Sequence, residues 1–281
     1  MVLNINQKMC EGFSDEIYCL LITNKDNGAL KNKLSRKVMR LDKFICKSTE
    51  LTRNEAKKVL KSGEVRVNGE VAKNAAMQVH ENNTITIDGQ ELTARGSRYY
   101  ILHKVVDSIC SNVDEVYPSV LHFIEVDKAF DLHIAGRLDA DTTGLVLITD
   151  DGRWSHNVIS PKKDCQKTYR VWLRDEIDDD KLEPLIQQFT DGLQLQGEDS
   201  LTRPAILRRV AQDELIEEDA YRSEVLLTIT EGKYHQVKRM FAAVGNRVIG
   251  LHREQVGEIT LGDLAPGEWR ELTAAEIALF A

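Results

Sequence analysis

Apolar positions along the chain repeat first with the period of a helix and later with that of a strand. In MRLDKFICKS, Leu41, Phe44 and Ile45 stand at i, i+3 and i+4, one stripe of a short helix that opens the ordered chain at Met39. Thr52-Arg53-Asn54-Glu55 has the spacing of a capping box, so a second helix is expected to run to Lys61, with Gly63 as a left-handed C-cap. Val65 and Val67 then alternate with polar residues into Asn68-Gly69, and Thr84 to Ile87 leads into Asp88-Gly89. Both are two-residue hairpin signals, because these residue types tolerate positive φ. Residues 37–95 are therefore expected to form a small helix-helix-hairpin unit. Residues 1–36 hold no sustained period and read as a poorly ordered extension or an upstream start.

Arg95-Gly96-Ser97-Arg98 has the composition of a linker, and beyond it the period changes. YYILHK, VLHFIEVD, GLVLIT, KTYRVWL and VLLTIT are short apolar runs separated by Gly and Asp turns, each expected to be a strand. Two helical stretches interrupt them, around Asp180 to Phe189 and from His235 to Val244. Strands and helices do not alternate regularly, so residues 96–281 are expected to form an α+β body with a mostly antiparallel sheet flanked by helices and loops. The acidic run Gln212 to Arg222 reads as a surface hairpin or loop.

Length supports two units, since 281 residues is about twice the usual single-domain size. No apolar run approaches the roughly 18 residues that a membrane span needs, and no signal-peptide pattern opens the chain, which implies a cytoplasmic protein without membrane contact. The five cysteines are scattered without a C-x-x-C pair and the seven histidines lack ligand spacing, so no disulfide framework and no metal are expected. Net charge is −8, which by itself argues against a nucleic-acid partner. Its distribution argues the other way: Lys31 to Lys104 carries 16 Lys and Arg against 8 Asp and Glu, a local +8 that leaves −16 for the remainder. Arg40, Lys43, Lys47, Arg53, Lys57, Lys58 and Lys61 occupy expected outer helix positions, with Arg66 and Asn68 in the hairpin beside them. Such a cluster suits a phosphate backbone. A solvated helix face would have the same composition.

Three segments carry candidate chemistry. Gly136-Arg137-Leu138-Asp139-Ala140-Asp141-Thr142-Thr143-Gly144 is a glycine-bracketed polar loop that feeds a buried strand and holds a carboxylate at a sheet edge; taken alone, Asp139 could equally cap its neighbours' amides. Lys167-Thr168-Tyr169-Arg170-Val171 opens a strand, where a tyrosine is commonly a core aromatic. In Glu231 to Val244, Val237, Met240, Phe241 and Val244 form a docking stripe from which Lys238 projects.

Taken together these segments resemble known families. RLDKFICKS and TRNEAKKVLKSGEVRVNGEVAK, with their order of elements, resemble the S4 RNA-binding module. The loop, the K-x-Y block and the EGKYHQVKRMF run resemble the signatures of the RsuA/RluA-type pseudouridine synthases, over about Met39 to the C-terminus. The resemblance implies that Asp139 is the nucleophile, that Tyr169 lies beside the target base and assists proton transfer, and that Lys238, or less directly Arg239, keeps the carboxylate ionised. It further implies substrate contacts from Arg137, Leu138, Thr142, Gln236 and Arg239, leaves Asp141 to loop structure, and requires no cofactor.

GRLDADTTGLVLITDDGRWSH and EGKYHQVKRMFAAVGNRVIGLHRE look closest to the branch acting on small-subunit (16S) rRNA at uridine 516, free or in an assembling 30S particle, by a monomer. Large-subunit (23S) enzymes share the shorter motifs. One departure stands out: the family's K-P-x-G motif is replaced by His103-Lys104-Val105-Val106-Asp107, so that loop is expected to be arranged differently. The same departure would suit a non-catalytic RNA-binding assembly factor, the alternative from another class. Glycoside hydrolysis by Asp139 and Asp141 would need two carboxylates flanking one bond, which nothing in the sequence arranges.

Overall fold

The computed structural model describes residues 38–80, 82–210 and 223–281. The expectations for residues 1–36 and for Gln212 to Arg222, and Cys10 and Cys19, lie outside the described residues. The chain divides into two compact units between Arg95 and Gly96.

In the smaller unit the chain enters through a strand, Val38–Arg40, paired antiparallel with Gln78–His80, before the first helix begins at Leu41. A strand thus takes Met39, where the periodicity suggested helix; three residues are too few for a period to be read. The helices are Leu41–Ser48 and Arg53–Ser62. Thr52 caps the second with a reciprocal Glu55 box, and Gly63 ends it at φ 89°. Asn68 and Gly69 (φ 52° and 87°) and Asp88 and Gly89 (φ 49° and 79°) turn the two hairpins of a four-stranded sheet. Leu41, Ile45, Leu60, Val65 and Ile85 are fully buried between helices and sheet.

The body, residues 96–281, is built on a nine-stranded sheet among the described residues. Its main path runs Ile206–Arg209, Ser223–Ile229, Lys167–Leu173, Val248–Val256, Thr143–Thr149, Tyr99–Lys104 and Trp269–Glu271. Neighbours pair antiparallel except Val248–Val256 and Thr143–Thr149, which run parallel with His252 opposite Thr143 and Arg253 opposite Gly144. That crossing brings two backbones so close that a Cβ on Gly144 (φ 109°) would lie 2.3 Å from the Arg253 carbonyl oxygen. One face of the sheet buries Leu102, Val146, Val171, Leu227 and Phe241; the other buries Ile101, Leu145, Leu147 and Trp154.

The fold is the expected α+β one, with differences in its parts. VLHFIEVD is not a strand: Ser119 caps a 3-10 turn over Val120–Phe123, its hydroxyl accepting from the Leu121 amide at 3.1 Å. Helices Gly152–Ile159 and Ala274–Ala278 join the expected pair, which fall at Asp179–Asp191 and Gln236–Ala243. Gly152–Ile159 is set by its Asp151 cap and buries Trp154, Ser155 and Val158, and Ala274–Ala278, five residues under a Thr273 capping box, buries none of its residues.

Candidate active site

The Asp139 loop leaves the short strand His133–Ala135 through Gly136 (φ 94°) and returns through Gly144 into Thr143–Thr149. Three buried side chains fix it from behind. Lys104, 1% exposed, donates from Nζ to the carbonyls of Thr142 (2.8 Å), Val105 (3.0 Å) and Ala140 (3.3 Å). Burial pushes its pKa down. The Leu138 amide donates to Cys110 Sγ at 3.3 Å, and burial holds that thiol's pKa up. Arg253, 2% exposed, donates from Nε to the Leu145 carbonyl (2.8 Å) and from Nη2 to that of Gly136 (2.7 Å), so one guanidinium ties both ends of the loop. Its remaining nitrogen, Nη1, lies 3.5 Å from the Tyr169 hydroxyl, with the guanidinium carbon 6.0 Å from that ring's centroid.

Held this way, Asp139 is about one-third exposed and meets two bases on Gln236–Ala243 and its approach. Lys238 Nζ donates to Asp139 Oδ2 at 3.0 Å and to Asp141 Oδ1 at 2.6 Å. Burial opposes the charge on Lys238, but the carboxylates of Asp141 and Asp139 outweigh it and raise its pKa. Burial likewise works against the Asp141 carboxylate, and the Lys238 ammonium more than reverses it, leaving that pKa lowered. His235 Nε2 stands 3.3 Å from Asp139 Oδ1, on a left-handed residue (φ 45°) just before the helix. Its ring stacks on Tyr234 with centroids 3.9 Å apart.

Asp139, Tyr169, His235 and Lys238 all line one cleft of about 100 Å³, floored by Leu138, Ile229, Val237 and Leu251. A carboxylate with one oxygen toward an ammonium and the other toward an imidazole, beside an aromatic wall, is placed to act as a nucleophile on a planar ring.

The residues singled out from sequence distribute as follows. Asp139, Tyr169 and Lys238 come together, with Arg137, Leu138, Thr142 and Gln236 on the same cleft lining. Arg137 is exposed and Thr142 buried. Gln236 is buried, and both ends of its amide are engaged within the chain: Oε1 accepts from the Lys233 amide and Nε2 donates to Glu231, each at 2.8 Å. Arg239 turns away, pairing with Glu198 at 2.9 Å and donating to the carbonyls of Tyr234 (3.0 Å) and Gln196 (2.6 Å). Asp141 shares Lys238 rather than serving the loop alone. None of residues 103–107 lines the cleft; without Pro and Gly the segment is organised around buried Lys104 and a left-handed Asp107 (φ 58°), whose amide donates to Ala140 at 3.0 Å. Among the described residues no group of three or more His, Cys, Asp or Glu is arranged to hold a metal.

In the smaller unit, Arg53, Lys57, Lys58, Lys61 and Arg66 are exposed and Lys43 is half-buried. Arg40 forms a two-pronged pair with Asp42 at 2.7 and 3.0 Å, and Asn68 accepts from the Thr84 amide at 3.0 Å. Lys47 is not an outer residue: three positions after Phe44, it shares the inner stripe and is buried.

Sequence reasoning missed Lys104, Arg253 and His235. Arg253 sits in VIGLHREQV, where polar residues at inward positions hide the strand; His235 lay inside a segment read for its lysine.

Comparison with known proteins gives a consistent picture. A family described as RNA pseudouridylate synthase matches residues 71–243, and the S4 domain matches residues 39–85. The protein named ribosomal small subunit pseudouridine synthase A is 53% identical in Vibrio cholerae, over 85% of this chain and 98% of that one. Its Escherichia coli namesake is 48% identical, over 85% and 99%. A solved structure described as a pseudouridylate synthase superposes with a TM-score of 0.59 at 42% identity, over 86% of this chain and 100% of its own.

Proposed function

Because the chain belongs to the RNA pseudouridylate synthase family, we propose that it isomerises one uridine of small-subunit ribosomal RNA to pseudouridine, at uridine 516 of the 16S molecule, with Asp139 as nucleophile. The observation that carries this reading is the Asp139–Lys238 contact of 3.0 Å at a cleft that Tyr169 also lines. The reaction breaks the bond between uracil N1 and ribose C1′, turns the base, joins C5 to C1′, and moves the C5 proton to solvent while N1 gains one. No oxidant or co-substrate enters that balance.

Asp139 attacks either C1′ or uracil C6. Lys238 holds it ionised once substrate has displaced water, and Tyr169 flanks the base during loss of the C5 proton. The cleft volume of about 100 Å³ is below the ~300–1,000 Å³ of ordinary ligand sites. It suits one ring extruded from a stacked RNA, with ribose and phosphates left at the mouth. Residues 37–95 supply phosphate contacts through Arg53, Lys57, Lys58, Lys61 and Arg66, and residues 96–281 hold the chemistry. The enzyme acts as a monomer in the cytoplasm; no described helix is long and apolar enough to cross a membrane.

Asp139→Asn tests the assignment by tritium release from 5-tritiated rRNA. It keeps the shape of the side chain, so RNA binding should persist while release falls to background. Turnover within tenfold of the parent would refute Asp139 as nucleophile. Mapping pseudouridines in cells without the protein tests the position.

A further inference from the structure

Beyond the cleft, its rim holds a large apolar ring that the chemistry above does not use. Tyr234 is 76% exposed, yet its ring and its backbone both have partners. One face of its ring lies on His235, with the planes 19° apart. His235 is in turn fixed by its left-handed backbone and by Asp139, 3.3 Å away. The Tyr234 carbonyl accepts from Arg239 Nη1 at 3.0 Å, and Arg239 is itself braced by Glu198 and by the Gln196 carbonyl. Exposed aromatic side chains carry a solvation cost, and one locked in place offers a flat surface whose ordering entropy has been spent in advance.

We propose that Tyr234, backed by His235 at the mouth of the Asp139 cleft, is a stacking platform for the nucleobase next to the extruded uridine. The proposal rests on the reading of the cleft as a uridine site. A base that enters a ring-sized cleft leaves its neighbours at the rim without their stacking partner. The open face of Tyr234 replaces that partner, and the His235 ring behind it contacts Asp139 through Nε2. Stacking of this kind tolerates any base, since each has a π-face. Arg137, exposed on the same cleft lining, is suited to the adjoining phosphate.

The test uses the full chain and hypomodified rRNA, free and in partly assembled particles, prepared from cells that lack the protein. Tyr234→Phe and Tyr234→Trp keep the ring, whereas Tyr234→Ala removes it. Phe and Trp should match the parent in tritium release, and Ala should raise KM for RNA about tenfold, within the range a base–aromatic stack supplies. The Trp variant should also lose part of its added fluorescence on binding RNA, which a purely structural role for Tyr234 would not cause. A parent-like KM for Ala, or a Phe variant as impaired as Ala, would overturn the proposal. Absence of tritium release by the parent protein would instead count against the uridine reading. In that case the quench decides alone: unchanged Trp fluorescence on bound RNA refutes the platform.

Discussion

Replacing Gly144 by alanine probes the closest backbone approach at the site. The new Cβ would meet the Arg253 carbonyl oxygen at 2.3 Å and its amide nitrogen at 2.5 Å, both rigid backbone atoms in a paired strand. Gly144 also sits at φ 109°, a conformation costing an L side chain ~1–3 kcal/mol. Relief requires the strands to part by about 1 Å, which breaks the parallel pairing at His252–Thr143 and Arg253–Gly144, at ~1 kcal/mol per hydrogen bond. Together these give a loss of about 3–5 kcal/mol, a large fraction of the ~5–15 kcal/mol that holds a domain folded. Calorimetry on the full chain should show the body's Tm lowered by roughly 6–20 °C. Tritium release below that temperature should fall as well, because the shift displaces Arg253 from Gly136. A variant within about 1 kcal/mol of the parent, with unchanged kcat, would refute the claim that this crossing sets the loop.

Arg253→Lys keeps a buried cation but not the fork that reaches two carbonyls and the Tyr169 hydroxyl. Its kcat should fall about 5- to 150-fold, for roughly the ~1–3 kcal/mol of a lost buried donor, with RNA binding retained; equal kcat would show that the guanidinium does not orient the site. Burial, with His103 and Arg170 nearby, lowers the His252 pKa from 6.5 to about 4. The unfolded chain therefore binds this proton first, so stability is complete above pH 6.5 and declines as pH falls toward 4, by up to about 3 kcal/mol. Urea titrations of His252→Gln should lack that part of the slope, and identical slopes would exclude His252 as its source.

Local rules carried much of the architecture. The Thr52 box, the Gly63 cap and the Asn68-Gly69 turn are set by residues a few positions apart, and each is formed as the spacing implies. Asp139, Tyr169 and Lys238 were legible through the resemblance of their segments to the synthase signatures, since pattern alone left Asp139 a cap and Tyr169 a core aromatic. Their support was not. Lys104 and Arg253 reach the loop through carbonyls 36 to 117 residues away, a relation that no local period encodes. Buried, they look by composition like surface cations, so charge patterning misassigns them. The same error placed Lys47 outside. VLHFIEVD failed as a strand for the opposite reason: its apolar content is right, but Ser119 offers a turn that wins over extension.

The parallel contact between the strands Thr143–Thr149 and Val248–Val256 has a consequence for biogenesis. A ribosome making this chain synthesises Asp139 more than a hundred residues before the arginine that anchors its loop. Loop closure over such a span is slow, and a nascent chain that stops short of Arg253 carries Asp139 on an untethered segment. The tether of the Asp139 loop therefore forms late in synthesis, and fragments that end before Arg253 lack it.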